Sequence, residues 1–476
     1  MEAQKQMLEG YCASKGIKNY EFYIDGGFTG SNIERPEMQR LVDEVKRGLI
    51  SGVVVYKLDR LSRSQKDTLY LIEDVFNPHQ TSFTSLNENM DTSTPMGRAI
   101  DVYKRQVDIR PLSNMPPEVV VTQRYEDVLE ADEVKIVVEC IGGAVAAYEF
   151  TRRALESGRS VVTSNKELVS TKGDELLDIA RAHSAMYLYE ASVGGGIPLL
   201  RPISQCLRAN HILGVDGIVN GSTNYLLTRM EREGVSFPAA LGEAQRLGYA
   251  ESNPAADIEG WDARRKLAIL AHVSFGARLS DEALIPTTGI SSLTPDDLRC
   301  ARAFDGAVKL IAHARVQNDQ WNGWVSPAVV DGDSPLYGVS DVFNAVVVHG
   351  DCVGDCMFYG RGAGSLPTAS AVVGDVIDAA QHLNTPKQEM DFEVIPAFAL
   401  DKEERANWLV RVMGADQETR KRVQEALNVE KMAELESVSG EKMTAVRTGP
   451  MTDLEADQAQ ARLEGLAKGS FIRFLR

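Results

Sequence analysis

Lys135-Ile-Val-Val-Glu-Cys-Ile-Gly-Gly143 is a short apolar run that stops at a pair of glycines. Such a run, bounded by glycine and rich in β-branched residues, reads as a buried strand. A helix over Tyr148–Ser157, closed by Gly158, is expected next, then a strand over Ser160–Ser164 that delivers Asn165 and Lys166. A helix over Asp174–His183 and a strand over Met186–Val193 repeat the pattern, carrying Glu190 toward the turn Gly194-Gly-Gly196. Short strands alternating with helices predict a parallel, doubly wound α/β sheet. Ligands of such sheets gather at the carboxyl ends of the strands. Gly142, Lys166 and Glu190 come from three segments and fall on that one edge.

A dinucleotide site normally opens with a strand, Gly-x-Gly-x-x-Gly and a helix, whose backbone N–H groups hold the pyrophosphate. Residues 107–134 supply no such loop, and Gly194–Gly196, followed by Ile197-Pro198, has the wrong spacing. The expectation is a truncated doubly wound (Rossmann-like) nucleotide domain over residues 107–195, lacking its first βα unit. Asp108, in Val107-Asp-Ile-Arg110, stands either at a ribose-reading position or on the surface.

An α+β domain is expected over 196–365, with a helix over 366–388 returning to the nucleotide domain. Gly217–Leu227 reads as strand, polar turn and helix; its Ser222, Thr223 and Asn224 are good caps and equally good donors to a small polar ligand. Gly248–Pro254 is a loop carrying Glu251, and Asp257–Leu270 leads into a helix. Asp262 and Lys266 are four apart and share one face of it with Ile269, Leu270 and Val273. A lysine on an apolar stripe needs a partner or a role, because burying an ammonium alone is costly. The alternative is an Asp–Lys pair that reaches out to water.

The chain has 476 residues and a net charge of −17, unevenly spread. Residues 1–106 carry 14 Lys and Arg against 15 Asp and Glu, leaving 37 against 53 for the rest. The acidic remainder argues against a nucleic-acid surface and fits a small-molecule enzyme. Six cysteines without a regular framework point to reduced thiols and a cytoplasmic setting. His349, Cys352 and Cys356 have a spacing that hints at metal, but no fourth ligand is evident, so packing is the preferred reading. The seven histidines fall in no motif that needs one, which leaves Ser–His–Asp and metal-hydrolase chemistry without support. No apolar run reaches membrane-spanning length.

NKELVSTKG, YEASVGGGIPLL, GIVNGSTNYLL, GYAESNPAADIEGWDARRK and YGRGAGSLPTASAVVGD, in that order, closely resemble the homoserine dehydrogenase family over residues 107 to about 388. The resemblance implies NAD(P)-dependent interconversion of L-homoserine and L-aspartate 4-semialdehyde, in threonine, methionine and isoleucine biosynthesis. It implies that Lys266 gives or takes the proton on the substrate oxygen, and that Lys166 lies between nicotinamide and substrate. Glu251, Asp262 and Ser222 would hold homoserine, the two carboxylates on its ammonium. Gly142 and Gly364 would approach the cofactor, NADP or NAD. Glu190, with the carbonyls of Val193, Gly195 and Ile197, would match a sodium or potassium site of hard oxygen ligands. A homo-oligomer is also implied.

The first hundred residues read differently. A helix over Gln4–Gly16, a strand over Tyr20–Ile24, a helix over Arg35–Gly48 and a strand over Gly52–Tyr56 make a small α/β unit. DGGFTG, ERPEMQRL, VVVYKLDRLSR and DTSTPMGRAI resemble the catalytic domain of serine recombinases (resolvase and invertase type) over residues 1–100. The resemblance implies DNA as an ancestral partner and places Asp59, Arg60 and Arg63 in its site, the guanidinium forks on phosphate oxygens. The family's nucleophilic serine on a first strand has no counterpart here, since Ser14 and Ser31 lack its context, so strand exchange is not expected. Between the two resemblances lies Asp101-Val-Tyr-Lys-Arg-Gln106, readable from GATGTGTATAAGAGACAG, which resembles a transposase end sequence used in preparing sequencing libraries. Residues 101–106 are therefore expected to be a seam in a chimera, the alternative being an ordinary charged linker. A catalytically inactive chimera is one expectation for the whole chain.

Residues 389–476 change character again. Strands over Asn407–Val412, Met443–Arg447 and Ser470–Leu475 alternate with helices over Gln417–Leu427 and Asp453–Ala467. The order resembles an ACT-type regulatory domain, which implies a threonine effector. Gly414-Ala-Asp416 stands where that family has a Pro-Gly turn, so a structural α+β appendage is the other reading.

Overall fold

The structure is a computed structural model that describes residues 2–25, 35–56, 81–85, 90–91, 105–107, 120–122, 124–383, 396–463 and 471–475, with four isolated positions between 71 and 79. Packing divides the chain into two units, Met1–Gln123 and Arg124–Arg476.

In the first unit, α1 (Glu2–Ser14) and α2 (Pro36–Lys46) accompany a three-stranded sheet of β1 (Gly52–Val55), β2 (Ser82–Ser85) and β3 (Met90–Asp91). Helix α2 buries Met38, Leu41, Val42 and Val45, one stripe at helical spacing, and these join Val53 and Phe83 of the sheet in one core. Asp25 accepts from the N–H of Glu37 at 2.8 Å and of Met38 at 3.2 Å, so a carboxylate satisfies the start of α2. The expected strand at Tyr20–Ile24 does not form; that stretch is irregular. A separate pair, β4 (Arg105–Val107) and β5 (Val120–Thr122), runs parallel.

The second unit opens with the expected parallel sheet, in the order β6 (Ile136–Glu139), β7 (Ser160–Thr163), β8 (Tyr187–Leu188). Helices α3 (Val145–Glu156) and α4 (Lys166–Ala182) connect them. Helix α4 begins eight residues before the expected start, because the Asn165 side chain caps it by accepting from the N–H of Leu168 at 3.1 Å. Strand β8 is shorter than expected, since Glu190–Ser192 tighten into a 3-10 turn.

Beyond it lies one ten-stranded sheet. Its first part is β9 (Ile212–Ile218), β10 (Gly306–Gln317), β11 (Gln320–Asp331), β12 (Phe343–Gly350) and β13 (Gly354–Arg361), in the order 13-12-9-10-11. Helices α5 (Gly221–Glu233), α6 (Phe237–Arg246), α7 (Trp261–Phe275), α8 (Pro295–Arg302) and α9 (Ser365–Gln381) complete this part. The short β14 (Ala397–Phe398) adds to β11. The last residues form a βαββαβ module: β15 (Trp408–Met413), α10 (Gln417–Ala426), β16 (Val429–Glu436), β17 (Lys442–Thr448), α11 (Asp453–Arg462) and β18 (Ile472–Phe474). Strand β18 lies parallel to β11 on one side and antiparallel to β15 on the other, so the module extends the same sheet. Arg473 of β18 sits 4.4 Å from the ring of Trp324 and 5.1 Å from that of Trp408, and pairs with Asp453 at 2.6 Å. These residues border a cleft of about 280 Å³ at that junction.

The centre of the sheet holds a buried polar cluster. Asp216 of β9 accepts from Nδ1 of His313 at 2.6 Å, Nη2 of Arg315 at 2.8 Å and Nε2 of His349 at 2.8 Å. The other nitrogen of His349 meets Asp355 of β13 at 2.6 Å. Both ring nitrogens of His349 are thus engaged by carboxylates.

Candidate active site

Gly260 has φ +82, a left-handed turn that lets the chain enter α7 sharply and places Asp262 in its first turn. Lys266 follows one turn later, and its Nζ lies 2.8 Å from Asp262 Oδ2 while donating to the carbonyl of Val219 at 2.8 Å. Lys166, the first residue of α4, brings its Nζ to 3.0 Å from Asp262 Oδ1. One carboxylate therefore bridges two ammonium groups from different segments. Their exposure differs: the Lys266 side chain is 11% exposed and that of Lys166 is 40%. Lys266 is buried with its Asp262 partner and does not reach out to water.

Asn220 is the hub beneath this pair. As cap of α5, its Oδ1 accepts from the N–H of Thr223 at 2.9 Å, which turns Nδ2 toward Asp262 at 2.8 Å and Asp257 at 2.7 Å. Burial pushes the Asp262 carboxyl up, but Lys266, Lys166 and Asn220 together outweigh it and hold the group well below the usual carboxylate range. Asp257 goes the other way: burial raises it and the neighbouring Asp262 charge adds to the rise, against the hydrogen bond from Asn220. Neither Asn220 nor Asp257 was among the site residues expected from sequence.

Ser222 donates to the carbonyl of Tyr249 at 2.6 Å, tying the start of α5 to the loop that carries Glu251. Glu251 is exposed at this rim. At the carboxyl edge of the parallel sheet, Asn165 Nδ2 donates to the carbonyls of Ile141 at 2.9 Å and Gly143 at 2.8 Å, so it shapes the turn around Gly142. Glu139, at the end of β6, accepts from Thr163 Oγ1 at 2.5 Å and from the N–H of Ile141. Gly142, Lys166 and Glu190 thus follow the ends of the three parallel strands, as the alternation of segments implied.

The Glu190 carboxylate accepts from the N–H groups of Leu199 at 2.6 Å, Leu200 at 3.0 Å and Arg201 at 2.7 Å, and so caps the helical turn that starts there. Val193, Gly195 and Ile197 follow it around the Gly194–Gly196 turn, where Gly194 and Gly195 have positive φ. Gly364, with φ +127, caps α9 and is exposed. Asp59, Arg60, Arg63, Asp108 and residues 101–104 of the expected seam lie outside the described residues. Among those described there is no Gly-x-Gly-x-x-Gly turn and no group of three His, Cys, Asp or Glu placed to hold a metal ion. No described helix is long and apolar enough to cross a membrane.

Parallel strands thus deliver Lys166 at their carboxyl edge, where it faces Lys266 across the shared Asp262 carboxylate. Comparison with known proteins gives the family. Residues 198–377 match the family described as homoserine dehydrogenase, and residues 91–190 match the homoserine dehydrogenase NAD binding domain. Residues 1–104 match the resolvase N terminal domain, so the two matches overlap over 91–104, close to the expected seam. The homoserine dehydrogenase of Synechocystis is 41% identical over 60% of this chain and 67% of its own length. That of Bacillus subtilis is 40% identical over 59% of this chain and 63% of its own. A solved homoserine dehydrogenase from Thiobacillus denitrificans aligns with a TM-score of 0.68 at 32% identity, over 75% of this chain and 85% of that one. The S. aureus enzyme at pH 6.5 gives 0.64 at 30%, over 78% and 90%. The chain belongs to the homoserine dehydrogenase family. It spans roughly three fifths to two thirds of the length of the curated relatives it matches.

Proposed function

We propose that the chain interconverts L-homoserine and L-aspartate 4-semialdehyde with NADP or NAD, and that Lys266 is its acid–base residue. The observation that carries this is Asp262, buried and shared between Lys266 and Lys166. When bound, the dinucleotide supplies or accepts the hydride at the substrate carbon. Negative charge then develops on the aldehyde oxygen, and an ammonium held beside it stabilises that charge and gives up a proton. Asp262 keeps both lysines in place, the Val219 carbonyl aims Lys266, and Lys166 is the more exposed group between cofactor and substrate. The substrate ammonium is assigned to Glu251 and Asp262, with Ser222 at the rim beside the Glu251 loop.

Gly142 and Gly364 give the cofactor close access to backbone. Glu190, with the carbonyl oxygens of Val193, Gly195 and Ile197, would hold sodium or potassium. The βαββαβ module is read as an ACT-like effector domain for threonine, and the enzyme as a cytoplasmic homo-oligomer. Residues 1–100 are read as a recombinase-derived passenger, whose Asp59, Arg60 and Arg63 met DNA only in an ancestor, and residues 101–106 as a seam.

The test is homoserine oxidation by the full chain, followed by the near-ultraviolet absorbance of the reduced nicotinamide at high dinucleotide concentration. Lys266→Ala is expected to lose about 10²–10⁴-fold in turnover. Cleavage of supercoiled DNA without homoserine oxidation would overturn the proposal in favour of a recombinase.

A further inference from the structure

Helix α9 is seated by charge. Of its seventeen residues only Asp375, Asp378 and Ala379 are buried, while Leu366, Val373 and Ile377 are 65%, 54% and 42% exposed. Asp375 Oδ2 accepts from the N–H of Glu190 at 2.8 Å, and its other oxygen takes the Arg201 guanidinium. Arg201 in turn donates its backbone N–H to Glu190 at 2.7 Å, which closes a ring between α9 and the segment after β8. Arg201 Nε also lies 3.7 Å from Asp378.

At its amino end the same helix meets the same segment at close range. Gly195 has φ +53, and a Cβ placed there would lie 2.5 Å from the carbonyl oxygen of Gly362. A Cβ on Gly196 would lie 2.7 Å from Cβ of Pro367, and the N–H of Gly196 donates to the carbonyl of Arg361 at 3.3 Å. Only the Pro367 ring on Gly196 and the Ile197 side chain on Gly360 interlock there, so the approach depends on how α9 is seated.

We infer that Arg201 and Asp375 are positioning residues for the reaction: by clamping α9 to the segment after β8, they fix the Gly194–Gly196 turn against the Gly360–Gly364 loop. This rests on the dehydrogenase reading above. The lysine pair sits on α4 and α7, outside the ring, so its placement should survive loss of the clamp.

The experiment compares the full chain with Arg201→Gln, Arg201→Lys and Asp375→Asn, the last two keeping charge or shape if the first folds poorly. Hydrogen–deuterium exchange is read in peptides 193–199 and 360–367, with 257–266 as internal reference, beside steady-state homoserine oxidation. Exchange in both glycine segments should rise together in Arg201→Gln and Asp375→Asn while the reference stays unchanged, and Arg201→Lys should restore most of the protection. Turnover should drop about tenfold or more at an unaltered homoserine KM, the expected cost of a small misplacement. Unchanged exchange in the two segments overturns the inference, as does a loss of turnover that only tracks the folded fraction. If the parent chain oxidises no homoserine, the dehydrogenase reading fails, and the exchange comparison still decides whether the clamp sets the two segments.

Discussion

At the scale of single residues, Asp262 carries the most consequence. Its carboxyl is held below the ordinary range in the folded chain, so its contribution to stability is complete above about pH 4, the unfolded value, and fades as pH falls through the lower folded value. Asp262→Asn is therefore expected to lose about 3 kcal/mol near neutrality, the order of cost when a buried pair loses one partner, and to converge with the parent in acid. Urea midpoints at neutral and acid pH read this directly; a gap that does not change with pH would refute it. Asn220→Asp should do worse, since it sets a third carboxylate against Asp257 and Asp262, and homoserine oxidation should fall with it. The Asp262–Lys266 pair was legible in the sequence because four residues is one helical turn. Asn220 was not: it reads as an ordinary helix cap, and its carboxylate partners lie 37 and 42 residues further along. The three amides that reach Glu190 were likewise not legible, because spacing shows which carboxylate stands near a turn and not which N–H groups meet it.

Among the elements, the edge strand β13 is the informative one. It leads directly into the Gly360–Gly364 loop, and its other end is pinned by His349 between Asp216 and Asp355. The Asp216 hydrogen bond raises the His349 pKa, burial and the Arg315 charge oppose it, and Asp355 adds to the rise; His313 shares Asp216. A raised folded value means that this contribution is complete below about pH 6.5 and is lost as pH climbs through the folded value. His349→Gln is expected to destabilise the chain near pH 6 and to match the parent near pH 9, within the reach of ordinary thermal melts. Equal destabilisation at both would show the imidazolium to be irrelevant. Alternating and helical periods made the parallel sheet, α5, α7, α9 and most of the closing module readable, but strands β10 to β13 and helices α6 and α8 were not anticipated individually. Two smaller misses have identifiable causes. Strand β16, Val-Glu-Lys-Met-Ala-Glu-Leu-Glu, is an edge with charges along it and gave no apolar run to notice. The start of α4 was missed because Val169, Ser170, Thr171 and Gly173 weaken its helical signal while Asn165 supplies the cap.

For the whole molecule, the parallel sheet and the large sheet face opposite fates. Among the described residues β6 pairs on one side only, with Val138 in it 45% exposed. Open apolar edges of this kind invite association, so the full chain is expected to sediment in centrifugation at concentrations where a homoserine dehydrogenase with a complete first βα unit stays in solution. Titration with NADPH, followed by its fluorescence, should show weak binding, because no described turn offers the amide cradle a pyrophosphate needs. Micromolar affinity would show that cradle to be dispensable. The large sheet has the reverse property, since β18 joins β11 to β15 and leaves no seam between enzyme and module. That splice also dictates an order of assembly during synthesis. Strands β9 to β13 and β15 to β17 leave the ribosome as two separate sheets; Arg411 on Asp297 can bring them together at α8, but they become one sheet only once residues 472–474 emerge. A premature stop codon a few residues upstream of Ile472 would thus do more than shorten the chain: it would leave two finished halves with no strand to marry them.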